Sequence, residues 1–150
     1  MKISTSETIQ APRERVFEVF SDIPRAQERI DGIAKLEVLS EVDRGPGLRW
    51  RETRVMFGKE ATEEMEITGF EEPRSYVVEA ESHGTHYTSC YTFNEADDDR
   101  TDVTVVFMGR PVTLLSKLMT PMWLLFKGAT ERALKQDMTD LKRYLESSPS

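Results

Sequence analysis

Glu52 and Arg54 stand two residues apart in the stretch Leu48 to Phe57, between Trp50 and Met56. In an extended chain, residues two apart point to the same side. If that side carries Leu48, Trp50 and Met56 into a core, it carries a carboxylate and a guanidinium in with them. Such groups in an apolar space can orient a ligand carbonyl or hydroxyl, or act as acid and base. In the opposite register they are ordinary surface charges, and the rarity of buried charge weighs toward that reading. The following segment places Ala61, Glu63, Met65 and Ile67 on one face. Met65 and Ile67 belong inside, and Glu63 then points inward near the end of the hairpin.

Tyr87 and Tyr91 share a face with Thr85, Ser89 and Phe93. A buried tyrosine seeks a hydrogen-bond partner, so a hydroxyl facing a cavity can hold a ligand oxygen. Plain core packing explains the two tyrosines at least as well. The same alternation puts His86 outside with Thr88 and Cys90. His83 and His86, the only histidines, lie three apart across Gly84 with no cysteine or clustered carboxylate to complete a metal set. Cys90, the single cysteine, has no motif around it, reads as inert, and excludes an internal disulfide. No phosphate-binding glycine loop or nucleophile motif is present. Metal and cofactor are therefore both expected to be none.

These residues need elements to position them. Lys2 to Gln10 alternates as a strand. Ala11-Pro12 opens a helix whose Val16, Phe17 and Phe20 share a face. Asp22-Ile23-Pro24 breaks it, and a second short helix is expected from Pro24 to Ile30. Strands follow over Ile33 to Val42, Leu48 to Phe57, Glu60 to Phe70, Ser75 to Ser82, Thr85 to Phe93 and Thr101 to Met108. Their turns fall at Arg44 to Gly47, Gly58-Lys59, Glu72 to Arg74 and His83-Gly84, with an acidic loop tip over Asn94 to Arg100. Asp97, Asp98 and Asp99 there, and the run of glutamates from Glu60 to Glu72, read as solvated surface.

The chain closes on a short apolar helix over Val112 to Met119 and then one long amphipathic helix. Thr120-Pro121 is an N-cap with proline at the first helical position, and no proline recurs before Pro149. That allows roughly 25 helical residues, about 38 Å. Leu134, Met138, Leu141 and Leu145 make a single apolar stripe. Met122-Trp123-Leu124-Leu125-Phe126 instead surrounds the whole circumference with apolar side chains. That surplus is to be covered by Val112 to Met119, to line a cavity mouth, or to make a dimer contact.

One long helix and a run of antiparallel strands make an α+β domain in which the sheet wraps the helix and leaves a hollow. Hydrophobic residues at 38% and charged residues at 31% mark a folded globular chain. A net charge of −7 makes nucleic acid an unsuitable partner. No apolar run has transmembrane length and no signal peptide begins the chain, so the expected location is cytoplasmic. Residues 1–146 form one domain, with a disordered tail over 147–150, and the protein is expected to be a monomer or homodimer.

The wording of several segments resembles a known family. Thr8-Ile9-Gln10-Ala11-Pro12-Arg13-Glu14-Arg15-Val16-Phe17, with Phe20-Ser21-Asp22, resembles the strand-to-helix opening of the polyketide cyclase/dehydrase-like proteins of the START-like superfamily. This superfamily is also known as SRPBCC or Bet v 1-like. The resemblance resumes at Gly45-Pro46-Gly47-Leu48-Arg49-Trp50, at Phe70-Glu71-Glu72-Pro73-Arg74, and at Tyr91-Thr92-Phe93 followed by Thr101-Asp102-Val103-Thr104. It implies a helix-grip fold of about seven strands, with a deep cavity between sheet and helix for a small hydrophobic or amphipathic molecule. The family is functionally broad, covering aromatase/cyclases, lipid and hormone binders and co-chaperones, so membership implies a pocket rather than a reaction.

On this basis Trp50, Glu52, Arg54, Met65, Tyr87, Tyr91, Met122 and Phe126 are the expected ligand-binding residues. A binding module is the leading reading. A metal-free cyclase/aromatase or dehydratase using Glu52, Arg54 or a tyrosine is the alternative, and a co-chaperone-type interaction module is a third.

Overall fold

In the computed structural model, residues 1–113 and 120–147 are described, with side chains for 1–113 and 126–147. The eight residues Lys2–Ile9 form β1, followed by helix α1 over Arg13–Ser21. Pro12 is the extended residue at the helix start, where a missing N–H costs nothing. Val16, Phe17, Val19 and Phe20 face inward from α1. A single 3-10 turn, Ile23–Arg25, and the short helix α2, Ala26–Arg29, carry the chain to the opposite edge of the sheet. There follow β2 (Lys35–Val38), β3 (Arg49–Met56), β4 (Lys59–Glu71), β5 (Ser75–Ser82), β6 (Thr85–Asp97) and β7 (Arg100–Pro111). The long helix α3 spans Thr120–Ser147.

The seven strands form one antiparallel sheet in the order β1-β7-β6-β5-β4-β3-β2. The long helix packs against β1, α1 and α2, which gives the helix-grip architecture. Lys142 fixes it to β1 by donating to the Thr8 carbonyl at 2.6 Å, and Glu146 accepts from the Gln10 amide at 2.8 Å. Met138, Leu141 and Leu145 are buried and Leu134 packs against the same core. Among the described residues, no helix is long and apolar enough to cross a membrane.

Phe17, fully buried, centres the packed part of this core. Its ring meets Phe70 at 5.1 Å, Phe93 at 5.2 Å and Tyr76 at 5.8 Å, all edge-on. Tyr76 stacks on Tyr91 at 4.5 Å and donates its hydroxyl to the Phe20 carbonyl at 3.1 Å. The edge-on contacts suit the aromatic quadrupole and add to area burial.

Several boundaries differ from the sequence reading. The second strand is only Lys35–Val38: single backbone bonds from Ala34 to Thr53 and from Leu39 to Arg49 flank it, and beyond them Ile33 turns back to the Ile30 carbonyl and Ser40 Oγ accepts from the Arg49 amide. The β3–β4 turn is Phe57-Gly58, one residue earlier than expected, with φ of 53° and 76°. The β5–β6 turn, His83-Gly84, has nearly the same angles, 51° and 76°. Two-residue hairpins of this hand need positive φ at both central positions, and here glycine takes the second. The acidic tip is not a seven-residue loop. β6 continues to Asp97 and β7 starts at Arg100, so only Asp98 and Asp99 form the turn. β6 is solvated from Asn94 to Asp97, and Arg100 and Asp102 of β7 are exposed, so charge is compatible with pairing there. Ser147 is helical rather than part of a tail, and residues 148–150 lie outside the described residues. So does most of the short helix expected over Val112 to Met119.

Candidate functional site

Between the concave face of the sheet and α3 lies a cavity of about 430 Å³. Strand alternation builds one wall: β3 contributes Trp50, Glu52, Arg54 and Met56, while β4 contributes Ala61, Glu63 and Met65. From β6 come Tyr87, Ser89 and Tyr91, and from β7 Val105 and Phe107. The helix closes the other side with Phe126, Thr130, Ala133, Leu134, Asp137, Met138 and Leu141, and Phe20, Ile23, Ile30 and Ile33 close one end. Seven of the eight residues expected from the sequence thus line one space. The eighth, Met122, and the rest of the apolar cluster Met122 to Leu125 lie outside the described side chains.

Glu52 and Arg54 are on the concave side, not the surface. Arg54 donates from Nε to Glu52 Oε2 at 2.7 Å. Its two terminal nitrogens donate to Asp137, Nη1 to Oδ1 at 3.0 Å and Nη2 to Oδ2 at 2.7 Å. The fork-to-fork geometry is that of a strong, charge-assisted pair. Trp50 Nε1 lies 3.4 Å from Glu52 Oε1, a long hydrogen bond on the same carboxylate. The three charged side chains are between 10% and 21% exposed, so the cluster is largely shielded from bulk water.

Burial works against charge on Arg54, but Asp137 and then Glu52 outweigh it, and the guanidinium is held charged more firmly than usual. For Asp137, burial raises the pKa, Arg54 opposes the rise, and Glu52 and Asp140 add to it. For Tyr91, burial first and then the charges of Asp137 and Glu52 push the phenol well above its ordinary value, with Arg54 opposing. Tyr91 is therefore a hydroxyl donor at any physiological pH. Burial also raises Tyr87, helped by Glu63 and opposed by a hydrogen bond with Thr85.

Asp137 and Gly32 are the parts of the site that sequence reasoning missed. Asp137 lies three residues after Leu134 and four before Leu141, inside the apolar stripe rather than among the outward charges. A lone acid on an apolar stripe was the available signal. Gly32 sits over the ion pair, where a Cβ would come within 3.0 Å of Arg54 Nη1. A side chain there would press on the guanidinium. The Gly32 loop is itself tied to α3, since Asp140, buried, accepts from the Asp31 amide at 3.0 Å.

His86 lies on the convex face, with Nε2 2.8 Å from Glu79 Oε1 and Nδ1 3.8 Å from Glu81 Oε1. His83, at the β5–β6 turn, borders the cavity near Phe57, Lys59 and Glu60. Among the described residues, no three His, Cys, Asp or Glu side chains are grouped as a metal site requires. Cys90 is free and half-buried.

Solved structures share this architecture. The protein TTHA0849 of Thermus thermophilus superposes with a TM-score of 0.80 at 17% identity, each chain covered completely. The ZhuI aromatase/cyclase of Streptomyces sp. R1128 gives 0.78 at 17%, over 97% of this chain and 93% of that one. A START superfamily protein of Mycobacterium smegmatis gives 0.63 at 14%, over 90% and 97%. At such identities the likeness speaks for the fold. No protein of curated function matches in sequence. The model of one family, described as polyketide cyclase / dehydrase and lipid transport, matches residues 1–146. With that match over nearly its whole length, and with a START-like sheet gripping its last helix, the chain belongs to the polyketide cyclase/dehydrase and lipid transport family.

Proposed function

We propose that the protein binds one small apolar or amphipathic molecule between sheet and helix, its polar end toward Arg54 and Tyr91. The observation that carries this reading is the cavity itself: about 430 Å³, walled mainly by aromatic and aliphatic side chains, with one compact charged cluster. A large apolar pocket with a few convergent polar groups is the usual form of a small-molecule site. Trp50, Met65, Tyr87 and Phe126 supply the apolar surface. Tyr91 supplies a donor, and its hydroxyl has no hydrogen-bond partner among the described residues.

A cyclase or aromatase reading is favoured by one feature, the charged cluster and tyrosine hydroxyl inside an apolar space. Yet Arg54 has already committed three of its five N–H donors to Glu52 and Asp137. That leaves less of the guanidinium to stabilise an enolate, and it favours binding over catalysis.

Ala133 lines the cavity from α3, so Ala133→Trp places an indole in the ligand's space. Calorimetric titration with 2-naphthol, a small aromatic alcohol, is expected to show binding by the wild type. In Ala133→Trp that binding should fall by about tenfold or more, the equivalent of roughly 1.4 kcal/mol, with an unchanged circular dichroism spectrum. Equal affinity in a folded variant would place the ligand elsewhere and defeat the reading.

A further inference from the structure

We propose that the cavity discriminates by charge: it takes an uncharged ligand carrying a hydrogen-bond donor, such as a phenol or amide, and rejects carboxylates. This inference rests on the ligand-binding reading above and adds the chemical class of what is bound. A buried arginine on its own would suggest the opposite, an anchor for an acid. Here the anchor is occupied. Asp137 takes both terminal nitrogens of Arg54 in a two-pronged pair and Glu52 takes Nε. One cation faces two anions, and the cluster carries an excess negative charge.

The rest of the lining does not restore the balance. Among the described residues around the cavity, four carboxylates (Glu52, Glu60, Glu63 and Asp137) face two permanent cations, Arg54 and Lys59. The groups already present respond to the same field: the negative charges of Asp137 and Glu52 reinforce burial in holding Tyr91 protonated, and at Asp137 the charge of Glu52 adds to the upward push of burial while Arg54 opposes it. An incoming carboxylate loses its hydration, meets net negative charge, and finds only the leftover N–H groups of Arg54. A neutral hydroxyl or amide meets what it needs, carboxylate oxygens that accept and a Tyr91 hydroxyl that donates. Rejection of the wrong class by unpaired charge is a common route to specificity.

The test uses two nearly isosteric probes at pH 7, 2-naphthamide and 2-naphthoate, titrated calorimetrically into the 150-residue chain. The expected result is that naphthamide binds about tenfold or more tightly than naphthoate, as repulsion between like charges at partly shielded sites provides. In Asp137→Asn, which removes the excess charge and frees part of Arg54, naphthoate should gain on naphthamide by a similar factor. Glu52→Gln should shift the ratio the same way and serves if Asp137→Asn does not fold. Naphthoate binding the wild type as well as naphthamide overturns the charge inference while leaving the cavity reading intact. A ratio unmoved in both folded variants overturns its assignment to this cluster. Failure of both probes to bind overturns the ligand-binding reading and the inference with it.

Discussion

Arg54→Ala is expected to destabilise the fold by about 3 kcal/mol or more, the range for breaking a buried ion pair by deleting one partner. The cost comes from what is left behind. Glu52 and Asp137 would face each other across the vacated space with no cation between them, on β3 and α3 respectively. The loss should depend on pH in a defined direction. Asp137 already has a raised pKa from burial, with Arg54 opposing the rise, and deleting Arg54 raises it further. A carboxyl whose folded pKa lies above its unfolded value carries its penalty above the folded pKa and sheds it as pH falls. Urea melts of wild type and variant should therefore differ most near neutral pH and converge as pH falls through the raised pKa of Asp137 toward the ordinary aspartate range. A variant that loses less than about 1 kcal/mol at neutral pH, or loses more in acid, would contradict a shielded cluster.

The other large effect is expected at Phe17→Ala, about 3–5 kcal/mol by the usual cost of deleting a buried phenyl ring. Phe17 is fully buried and contacts Phe70, Tyr76 and Phe93 edge-on, so truncation removes both area and three aromatic contacts. For a domain of this size that corresponds to a fall in Tm on the order of 10 °C. Phe17 does not line the ligand cavity, so the loss should appear in thermal or denaturant unfolding whether or not a ligand is present. A fall of only a degree or two would mean that the aromatic cluster repacks and is not the rigid end of the core.

Much of this arrangement was legible in the chain because alternation is a strict code. Once Trp50 and Met65 are assigned to the core, Glu52, Arg54 and Glu63 go in with them, and the structure places all five around the cavity. Tyr87, Ser89 and Tyr91 follow by the same rule, as does the outward position of His86. The rarity of buried charge argued against the correct register. That rule holds for single charges, and Asp137, the second anion that makes burial of Arg54 tolerable, is 83 residues away along the chain. Helical stripes are broader and less strict than strand faces, so an acid among leucines was passed over as one of the outward charges. The Gly32 contact has no local signature at all, because it exists only once the loop, β3 and α3 have met. Turn positions were readable to within one residue: His83-Gly84 directly, Phe57-Gly58 only after allowing a bulky residue positive φ. The acidic tip failed because β6 is solvated from Asn94 to Asp97 and leaves no alternation to read there.

The account turns on a ligand lying between sheet and helix. The most direct measurement is chemical-shift mapping by NMR as 2-naphthol is titrated into isotopically labelled protein. The account predicts the largest changes at the Trp50 indole N–H, the Met65 methyl and the rings of Tyr91 and Phe126, all of which line the cavity. Changes confined to the convex face, around Arg49, Glu79 and His86, or no changes anywhere, would contradict it.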